Sequence, residues 1–188
     1  MSIMLLNQKD IKILSAFSKD YHGRIYGREI SKKLKINQKT ISNILNKLER
    51  GKILKYIIEG KNKYYFLNNF NLKIKEIISI IELNRKLIFL DKNKSLDSLF
   101  EEISKRSKGI VIIFGSYASG KNNKDSDLDL FVLGNISEVG DLEELYNLKI
   151  NVVKSNKKKF DEKNHLFKEI ISNHIIIKGF EEFTNLIW

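Results

Sequence analysis

Gly115, Ser116, Asp127 and Asp129 are the residues of this chain whose types and spacing could do chemistry. The glycine and serine follow the apolar run Ile110–Phe114, and ten residues separate Ser116 from Asp127. This order predicts a strand, a tight turn, a short excursion and a second strand that carries both acids. Side chains two apart on a strand lie on one face at roughly 7 Å, so the carboxylates can hold a hard cation such as Mg2+. Phosphates can approach a glycine backbone closely, and phosphates beside cation-binding acids indicate phosphoryl or nucleotidyl transfer.

The segment GSYASGKNNKDSDLDLFVL resembles the minimal nucleotidyltransferases, a branch of the polymerase-β-like superfamily. The resemblance rests on Gly-Ser after an apolar strand, on a second glycine at Gly120, and on Ser-Asp-x-Asp-Leu before another apolar strand. The alternative interpretation is a polar hairpin whose acids cap a turn. Burying acids in a strand is costly without a partner, which favours the first interpretation.

The resemblance implies a magnesium-dependent or manganese-dependent enzyme that binds a nucleoside triphosphate, expected to be ATP. Asp127 and Asp129 would bind the cation. A hydroxyl acceptor would attack the α-phosphorus and release pyrophosphate, and the acceptor could be a protein side chain, a small molecule or RNA. Some relatives are antitoxins that modify a toxin partner. Relatives often carry arginine at the position of Ser119, and a nearby lysine could supply that charge here. The expected nucleotide-binding residues are Gly115, Ser116, Ser126 and Lys121.

Members of this family carry a third acid on the next strand, and here the matching position in Leu148–Val153 is Asn151. Asparagine is a weaker ligand for a hard cation and cannot act as a base. Nucleotide binding remains compatible with this change, whereas efficient turnover is less so. Two hypotheses follow: a nucleotidyltransferase with an altered catalytic position, or a regulator whose transferase fold senses nucleotide or binds a partner.

The excess positive charge of the chain is concentrated in its first third. Residues 1–70 hold 15 Lys and Arg against 5 Asp and Glu, while residues 71–188 hold 19 against 18. A concentrated excess of this kind is typical of a domain that binds a polyanion. A lysine-rich solvated surface is the alternative interpretation of the charge alone.

Apolar periodicity in the same third predicts a winged helix-turn-helix domain. Asn7 can cap a first helix with Ile11, Leu14 and Phe17 inward, a second helix spans about residues 27–34, and Asn37 can cap a third that ends at Gly51. Residues 53–67 then read as a β-hairpin. The segment YGREISKKLKINQKTISNILNKLERGKILKYIIEGKNKYYFLNN resembles archaeal and bacterial regulators of this class.

That resemblance implies binding of double-stranded DNA, with the third helix in the major groove and the hairpin on the backbone. Amide side chains suit adenine edges, and lysines suit phosphate or guanine. A winged helix used only for protein contacts is the alternative. The expected DNA-binding residues are Gln38, Lys39, Thr40, Ser42, Asn43, Asn46, Lys61 and Lys63.

Residues 71–92 are predicted to form a long helix that is apolar on two sides, and such a helix must be covered on both. The first stripe contains Ile74, Ile77, Ile78, Ile81 and Ile88. The second stripe contains Ile80, Leu83, Leu87 and Leu90. A homodimer is expected, because regulators of this kind often dimerise through such a helix. A monomer with an interdomain spacer is the alternative.

The remaining sequence predicts a small mixed sheet with helices packed on it, so the fold class is α+β. The expected domains are a winged helix-turn-helix domain at 1–70, a linker helix at 71–94 and a nucleotidyltransferase domain at 95–188. Ser95 is expected to cap the helix that precedes the first strand of this sheet. The lysines at 157, 158 and 159 read as a solvated loop or as contacts to triphosphate, nucleic acid or a partner.

Composition excludes several classes of protein. The chain has no cysteine, so it has no disulfides and no thiolate metal sites, which fits a reducing cytoplasm. No apolar run is long enough to span a membrane. His22, His165 and His174 are scattered without zinc-site spacing and are interpreted as surface or capping residues.

Overall fold

The computed structural model describes residues 6–156 and 165–188. Within them the chain separates into two units, Met1–Ile81 and Glu82–Trp188, and the boundary falls inside one helix. The lysine run Lys157, Lys158 and Lys159 lies outside the described residues.

Asparagine caps begin two helices of the first unit. The Asn7 side chain accepts a hydrogen bond from the N–H of Asp10, and the Asp10 carboxylate accepts one from the N–H of Asn7, which forms a capping box at the start of α1 (Gln8–Leu14). A 3-10 helix, Ser15–Lys19, follows. Phe17 therefore lies on this tighter turn and not on a continuous α-helix, although it is fully buried as expected.

The helix-turn-helix follows in the predicted order. Strand β1 (Ile25–Tyr26) leads into α2 (Gly27–Leu34), and Asn37 caps α3 (Gln38–Arg50) by accepting a hydrogen bond from the N–H of Lys39. Gly51 lies at the C-cap of α3. The buried side of these helices supplies much of the core, which includes Ile13, Leu14, Phe17, Ile30, Ile41, Leu45 and Leu48.

The predicted hairpin consists of β2 (Leu54–Glu59) and β3 (Asn62–Leu67), joined by a two-residue turn at Gly60 and Lys61. Strand β1 adds to β3, so the three-stranded sheet has the order β1-β3-β2, antiparallel throughout. Helices α2 and α3 with this hairpin constitute the predicted winged helix-turn-helix arrangement.

The long helix, α4 (Ile74–Lys92), begins three residues later than expected. Its first predicted stripe is buried from Ile74 to Ile81, whereas Ile88 is 51% exposed and does not belong to it. Of the second stripe, Ile80, Leu83 and Leu87 are all more than 40% exposed. These three side chains form an apolar face of α4 that is about half exposed, whereas Leu90 packs against the core of the second unit.

The second unit contains a four-stranded mixed sheet on which helices pack. The strands are β4 (Ser107–Phe114), β5 (Leu128–Ile136), β6 (Ile150–Ser155) and β7 (Ile175–Lys178). Their order in the sheet is β6-β5-β4-β7, with β5 parallel to β6 and with β4 antiparallel to both β5 and β7. The core combines alternate residues of these strands with Phe89, Leu99, Phe100 and Ile103. The helices are α5 (Asp97–Arg106), α6 (Gly115–Ser119), α7 (Gly140–Tyr146), α8 (His165–Ser172) and α9 (Phe180–Ile187).

One local expectation for this unit was wrong, and another was confirmed only in part. Ser95 does not cap α5, because it lies within a 3-10 helix, Lys94–Leu96, and Leu96 occupies the N-cap position. His174 is not a surface residue, but its Nδ1 atom lies 2.6 Å from the backbone oxygen of Ile171 in the last turn of α8, which is a capping contact. Its side chain is fully buried next to Glu82, with the Nε2 atom 3.3 Å from the Glu82 carboxylate.

A buried polar cluster fastens the second half of α4 to the end of the sheet. Arg85 donates to both carboxylate oxygens of Glu82, at 2.7 and 2.9 Å, and also to the backbone oxygen of His174. Lys86 donates to the backbone oxygen of Ile177 at 2.7 Å, and burial lowers the pKa of its ammonium group. These contacts join α4 to β7 and to the residue before it.

Candidate functional site

Asp127, Asp129 and Asn151 lie together at one end of the sheet. Asp129 is in register with Asn151 on the parallel strand β6 and with Phe114 on β4. The Asn151 amide nitrogen donates to Asp127 Oδ2 at 3.2 Å and to Asp129 Oδ1 at 3.1 Å. One amide group therefore bridges both carboxylates, which places them on the same side of the sheet. Asp127 itself precedes the first residue of β5, so only Asp129 lies within the strand.

Gly115 is packed directly against Asp129 of this acid pair. It follows β4, begins the short helix α6 and has a φ of 68°, a left-handed conformation that favours glycine. A Cβ atom built at this position would lie 2.3 Å from Asp129 Oδ2. Because Gly115 has no side chain, the Asp129 carboxylate can lie against its backbone. The sequence predicted a tight turn at this position, whereas the structure has the start of α6 here.

Lys149 is a site residue that the sequence analysis did not identify. Its ammonium group lies 3.1 Å from Asp127 Oδ2, and its backbone oxygen accepts a hydrogen bond from the N–H of Leu128 at 2.8 Å. The hydrogen bond from Lys149, and after it the one from Asn151, lowers the pKa of the Asp127 carboxyl below its ordinary value. Asp127 is therefore ionised at neutral pH. The signal in the sequence was strand alternation, since Lys149 precedes Asn151 by two residues.

The other expected nucleotide-binding residues lie in α6 and in the loop that follows it. The backbone oxygen of Ser116 accepts hydrogen bonds from the N–H of Lys121 at 3.0 Å and from the hydroxyl of Ser119 at 2.9 Å. The Ser126 hydroxyl accepts from the N–H of Asn123 and donates to the Asn123 side chain, which fixes the loop just before the acids. Within the described residues, the cation that contacts Asp127 is Lys149 and not Lys121.

The acid pair suits a divalent cation whose remaining ligands come from phosphate and water. Mg2+ is typically bound through one or two carboxylates together with substrate phosphates. The described residues contain no cluster of three or more His, Cys, Asp or Glu side chains that could hold a metal ion. The bridging amide also shows that a polar group of aspartate size fits between the carboxylates.

The second candidate surface is the outer side of α3 with the adjacent hairpin. Most of the expected α3 residues are exposed, while Ile41, Leu45 and Leu48 on the opposite side are buried. The Asn46 side chain accepts a hydrogen bond from the hydroxyl of Tyr65 at 3.1 Å, which ties α3 to β3. The exposed residues are Gln38, Lys39, Ser42, Asn43 and Asn46, and Thr40 is half-buried.

The two hairpin lysines occupy different positions. Lys61 is exposed at the turn. Lys63 lies 4.2 Å from the ring centre of Tyr56, on the same face of the sheet as Tyr65. Lys63 therefore lies on the face of the hairpin that contacts α3, and Lys61 lies at the tip of the hairpin.

Comparisons with known families match both parts of the chain. A nucleotidyltransferase domain family matches residues 96–183, and a winged helix-turn-helix DNA-binding family matches residues 6–55. No curated protein matches the chain. The matches confirm the predicted α+β fold and its two component domains.

Solved structures give weaker similarities. One is a toxin-antitoxin with AMP-PNP, with 15% identity and a TM-score of 0.38 over 47% of this chain and 77% of that chain. Another is MepR, a transcription regulator of the Staphylococcus aureus multidrug efflux pump MepA, with 19% identity and a TM-score of 0.37 over 52% of this chain and 76% of that chain. Neither similarity is high enough to add to the family matches. Among the described helices, none is both long and apolar enough to cross a membrane.

Proposed function

We propose that this chain, which joins a winged helix-turn-helix domain to a nucleotidyltransferase domain, binds double-stranded DNA and transfers a nucleotidyl group from a nucleoside triphosphate to a hydroxyl acceptor. The observation that carries the transferase part is the contact of Asp127 and Asp129 with Asn151, with Gly115 packed against Asp129. A polar hairpin whose acids only cap a turn would need no glycine packed against a carboxylate.

In this proposal the acids of the site bind the cation, and the other residues bind or position the nucleotide. Asp127 and Asp129 would hold Mg2+, or Mn2+ in its place, and the backbone at Gly115 and Ser116 would bind the β- and γ-phosphates of ATP. The cation would neutralise phosphate charge when it is bound. Ser126 shapes the loop beside the acids, and the exposed side chain of Lys121 is free to reach the triphosphate.

Asn151 makes efficient nucleotidyl transfer less favourable at this site. Its amide group orients both carboxylates but cannot accept a proton from an attacking hydroxyl. Lys149 adds a positive charge that competes with a cation for Asp127. These two contacts favour the second candidate function, a DNA-binding regulator whose transferase domain binds nucleotide or a protein partner without efficient turnover.

Magnesium-dependent ATP binding tests the site shared by both candidates. Asp129→Asn keeps the shape of the side chain but removes its charge, so we expect ATP affinity in magnesium to fall at least about tenfold, or roughly 1.4 kcal/mol. Affinity in EDTA should be unchanged. Isothermal titration calorimetry in both buffers measures this difference.

The matched control is Asp141→Asn, because Asp141 is an exposed carboxylate that pairs with Arg106 away from the acid pair. It should bind ATP like the wild type in both buffers. A wild-type protein whose ATP affinity is the same in magnesium and in EDTA would contradict the proposed site.

DNA binding is tested by its dependence on salt. Each phosphate contact contributes a slope of about −0.9 to the plot of log affinity against log salt concentration. The double variant Lys61→Met and Lys63→Met should therefore reduce the magnitude of the slope by about 2 on a mixed-sequence duplex. Fluorescence anisotropy over a salt series measures it.

Lys105→Met serves as the control, because Lys105 pairs with Glu101 on α5 and is not part of the α3 surface. Its slope should equal that of the wild type. If the DNA affinity of the wild type does not change with salt, phosphate binding by this basic unit is excluded.

We further propose that the chain acts in the cytoplasm, where DNA and nucleotides are both present, and that it forms a homodimer. The support is the exposed apolar face of α4, formed by Ile80, Leu83 and Leu87. A protein acceptor or toxin partner is an alternative occupant. Sedimentation that finds only monomers at high protein concentration would exclude the dimer.

A further inference from the structure

A cavity of about 400 Å³ opens on the three-stranded sheet of the first unit, and the proposed function does not use it. Its volume lies within the range of small-molecule sites. Basic or titratable side chains and aromatic rings line the same space. The basic or titratable residues are His22, Arg24 and Lys55, and the aromatic residues are Tyr21, Phe66 and Phe70.

The cavity lies on the face of the hairpin opposite to the α3 surface. Tyr65 projects from β3 toward α3, where its hydroxyl contacts Asn46. Lys55 and Phe66 are paired with each other across β2 and β3 and are each one residue away from the pair formed by Tyr56 and Tyr65. Because adjacent residues on a strand point to opposite faces, Lys55 and Phe66 point away from α3. The cavity is therefore separate from the expected DNA-binding residues.

Phe70 is an unusual side chain on this side of the unit, because 84% of its surface is exposed. Its position is fixed by a turn: the buried side chain of Asn68 accepts a hydrogen bond from the N–H of Phe70 at 3.2 Å and donates one to the backbone oxygen of Lys52 at 2.8 Å. The ammonium of Lys55 lies 4.4 Å from the centre of the Phe70 ring. The chain thus holds an exposed ring beside a cation.

The cationic groups of the cavity can accept an anion. Among the described residues, no carboxylate lies within ion-pair distance of Lys55, whose ammonium group lies over the Phe70 ring. Arg24 pairs with Glu59 at 2.9 Å, but both side chains are more than half exposed. Exposed pairs of this kind contribute at most about 1 kcal/mol, so a ligand anion can replace Glu59 at small cost.

We infer that this cavity binds a small planar aromatic anion. The ring of the ligand would lie against Phe66 and Phe70, and its carboxylate or phosphate would meet Lys55 and Arg24. Aromatic walls favour a flat ring, and two cations favour a negative charge attached to it. This second binding site belongs to the winged helix-turn-helix domain and does not depend on the nucleotidyltransferase proposal.

The test uses the full-length, isotope-labelled chain and four probes: benzoate, phenyl phosphate, benzamide and cyclohexanecarboxylate. Benzoate or phenyl phosphate should shift the backbone amide signals of Lys55, Phe66 and Phe70 in a saturable way, and the tighter of the two identifies a carboxylate or a phosphate ligand. Benzamide lacks the charge and cyclohexanecarboxylate lacks the flat ring. Each should therefore bind at least about tenfold more weakly, which corresponds to the loss of one favourable contact.

Two substitutions test the residues directly. Lys55→Met and Phe70→Ala should each weaken binding of the preferred probe at least about fivefold, because each removes one half of the lysine–aromatic pair. Both side chains are exposed, so the fold should survive either change. Lys63→Met is the matched control, since Lys63 covers Tyr56 at 4.2 Å on the opposite face of the same hairpin, and it should leave probe affinity unchanged.

Signals that shift without saturation, equal affinity for benzoate and benzamide, or unchanged affinity in Lys55→Met would each overturn the inference. None of these outcomes bears on magnesium or ATP, so failure of this site is distinguishable from failure of the proposed function.

Discussion

Replacing Asn151 with aspartate is expected to raise the rate of nucleotidyl transfer by about 100-fold, the lower part of the range for an added general base. Asn151 already contacts both Asp127 and Asp129, so an aspartate of the same shape would complete a set of three acids without moving the sheet. Incubation with α-labelled ATP, magnesium and cell extract measures transfer to whatever acceptor is present.

The same substitution should also make the protein depend on the cation for stability. Three neighbouring carboxylates repel one another, so Asn151→Asp should unfold at a lower temperature than the wild type in EDTA and recover in magnesium. Asn151→Ala is the control, because it removes the amide without adding an acid and should give no gain in transfer. Efficient transfer by the wild type, with no gain in Asn151→Asp, would exclude the interpretation of the domain as a nucleotide sensor.

Removing the carboxylate of Glu82 should lower the free energy of unfolding of the second unit by about 3 kcal/mol, the cost of breaking a buried ion pair. Glu82 is 1% exposed and accepts two hydrogen bonds from Arg85, with His174 at 3.3 Å. Glu82→Ala would leave the guanidinium of Arg85 largely buried without a carboxylate partner. Trp188 is the single tryptophan and belongs to this unit, so its fluorescence during urea unfolding follows the relevant transition.

Glu102→Ala provides the comparison for Glu82→Ala. Glu102 is 40% exposed and pairs with Lys105 on the surface of α5, so its loss should cost no more than about 0.5 kcal/mol. Equal effects of the two substitutions would show that the buried cluster contributes nothing beyond an ordinary surface ion pair.

The parts of the fold that depend only on residues close together in the sequence could be predicted from it. Asn7 and Asn37 cap their helices as expected, because a cap needs only the residues of the following turn. The hairpin also follows from a local pattern of apolar residues around a turn. The later start of α4 could not be predicted, because the Asn71 side chain both caps the N–H of Lys73 and donates to the distant backbone oxygen of Lys52.

The same contrast between local signals and contacts from distant residues holds for the candidate site and for His174. The position of Asn151 beside the acids could be inferred from strand order and from the family pattern. The position of Lys149 could have been inferred from strand alternation, because it precedes Asn151 by two residues. His174 had no such signal, because its polar neighbour Arg85 is 89 residues away in the sequence. A lone histidine before an apolar strand looks like a surface residue until the element that covers it is known.

The bridging amide of Asn151 has an evolutionary consequence. Asparagine and aspartate have side chains of almost the same size, and their codons differ at a single base. The hydrogen bonds to Asp127 and Asp129 preserve the space and orientation that an acid would occupy. Under the proposed function, one point mutation would therefore convert the domain between a form without efficient turnover and an active form, with the architecture of the sheet already prepared for either state.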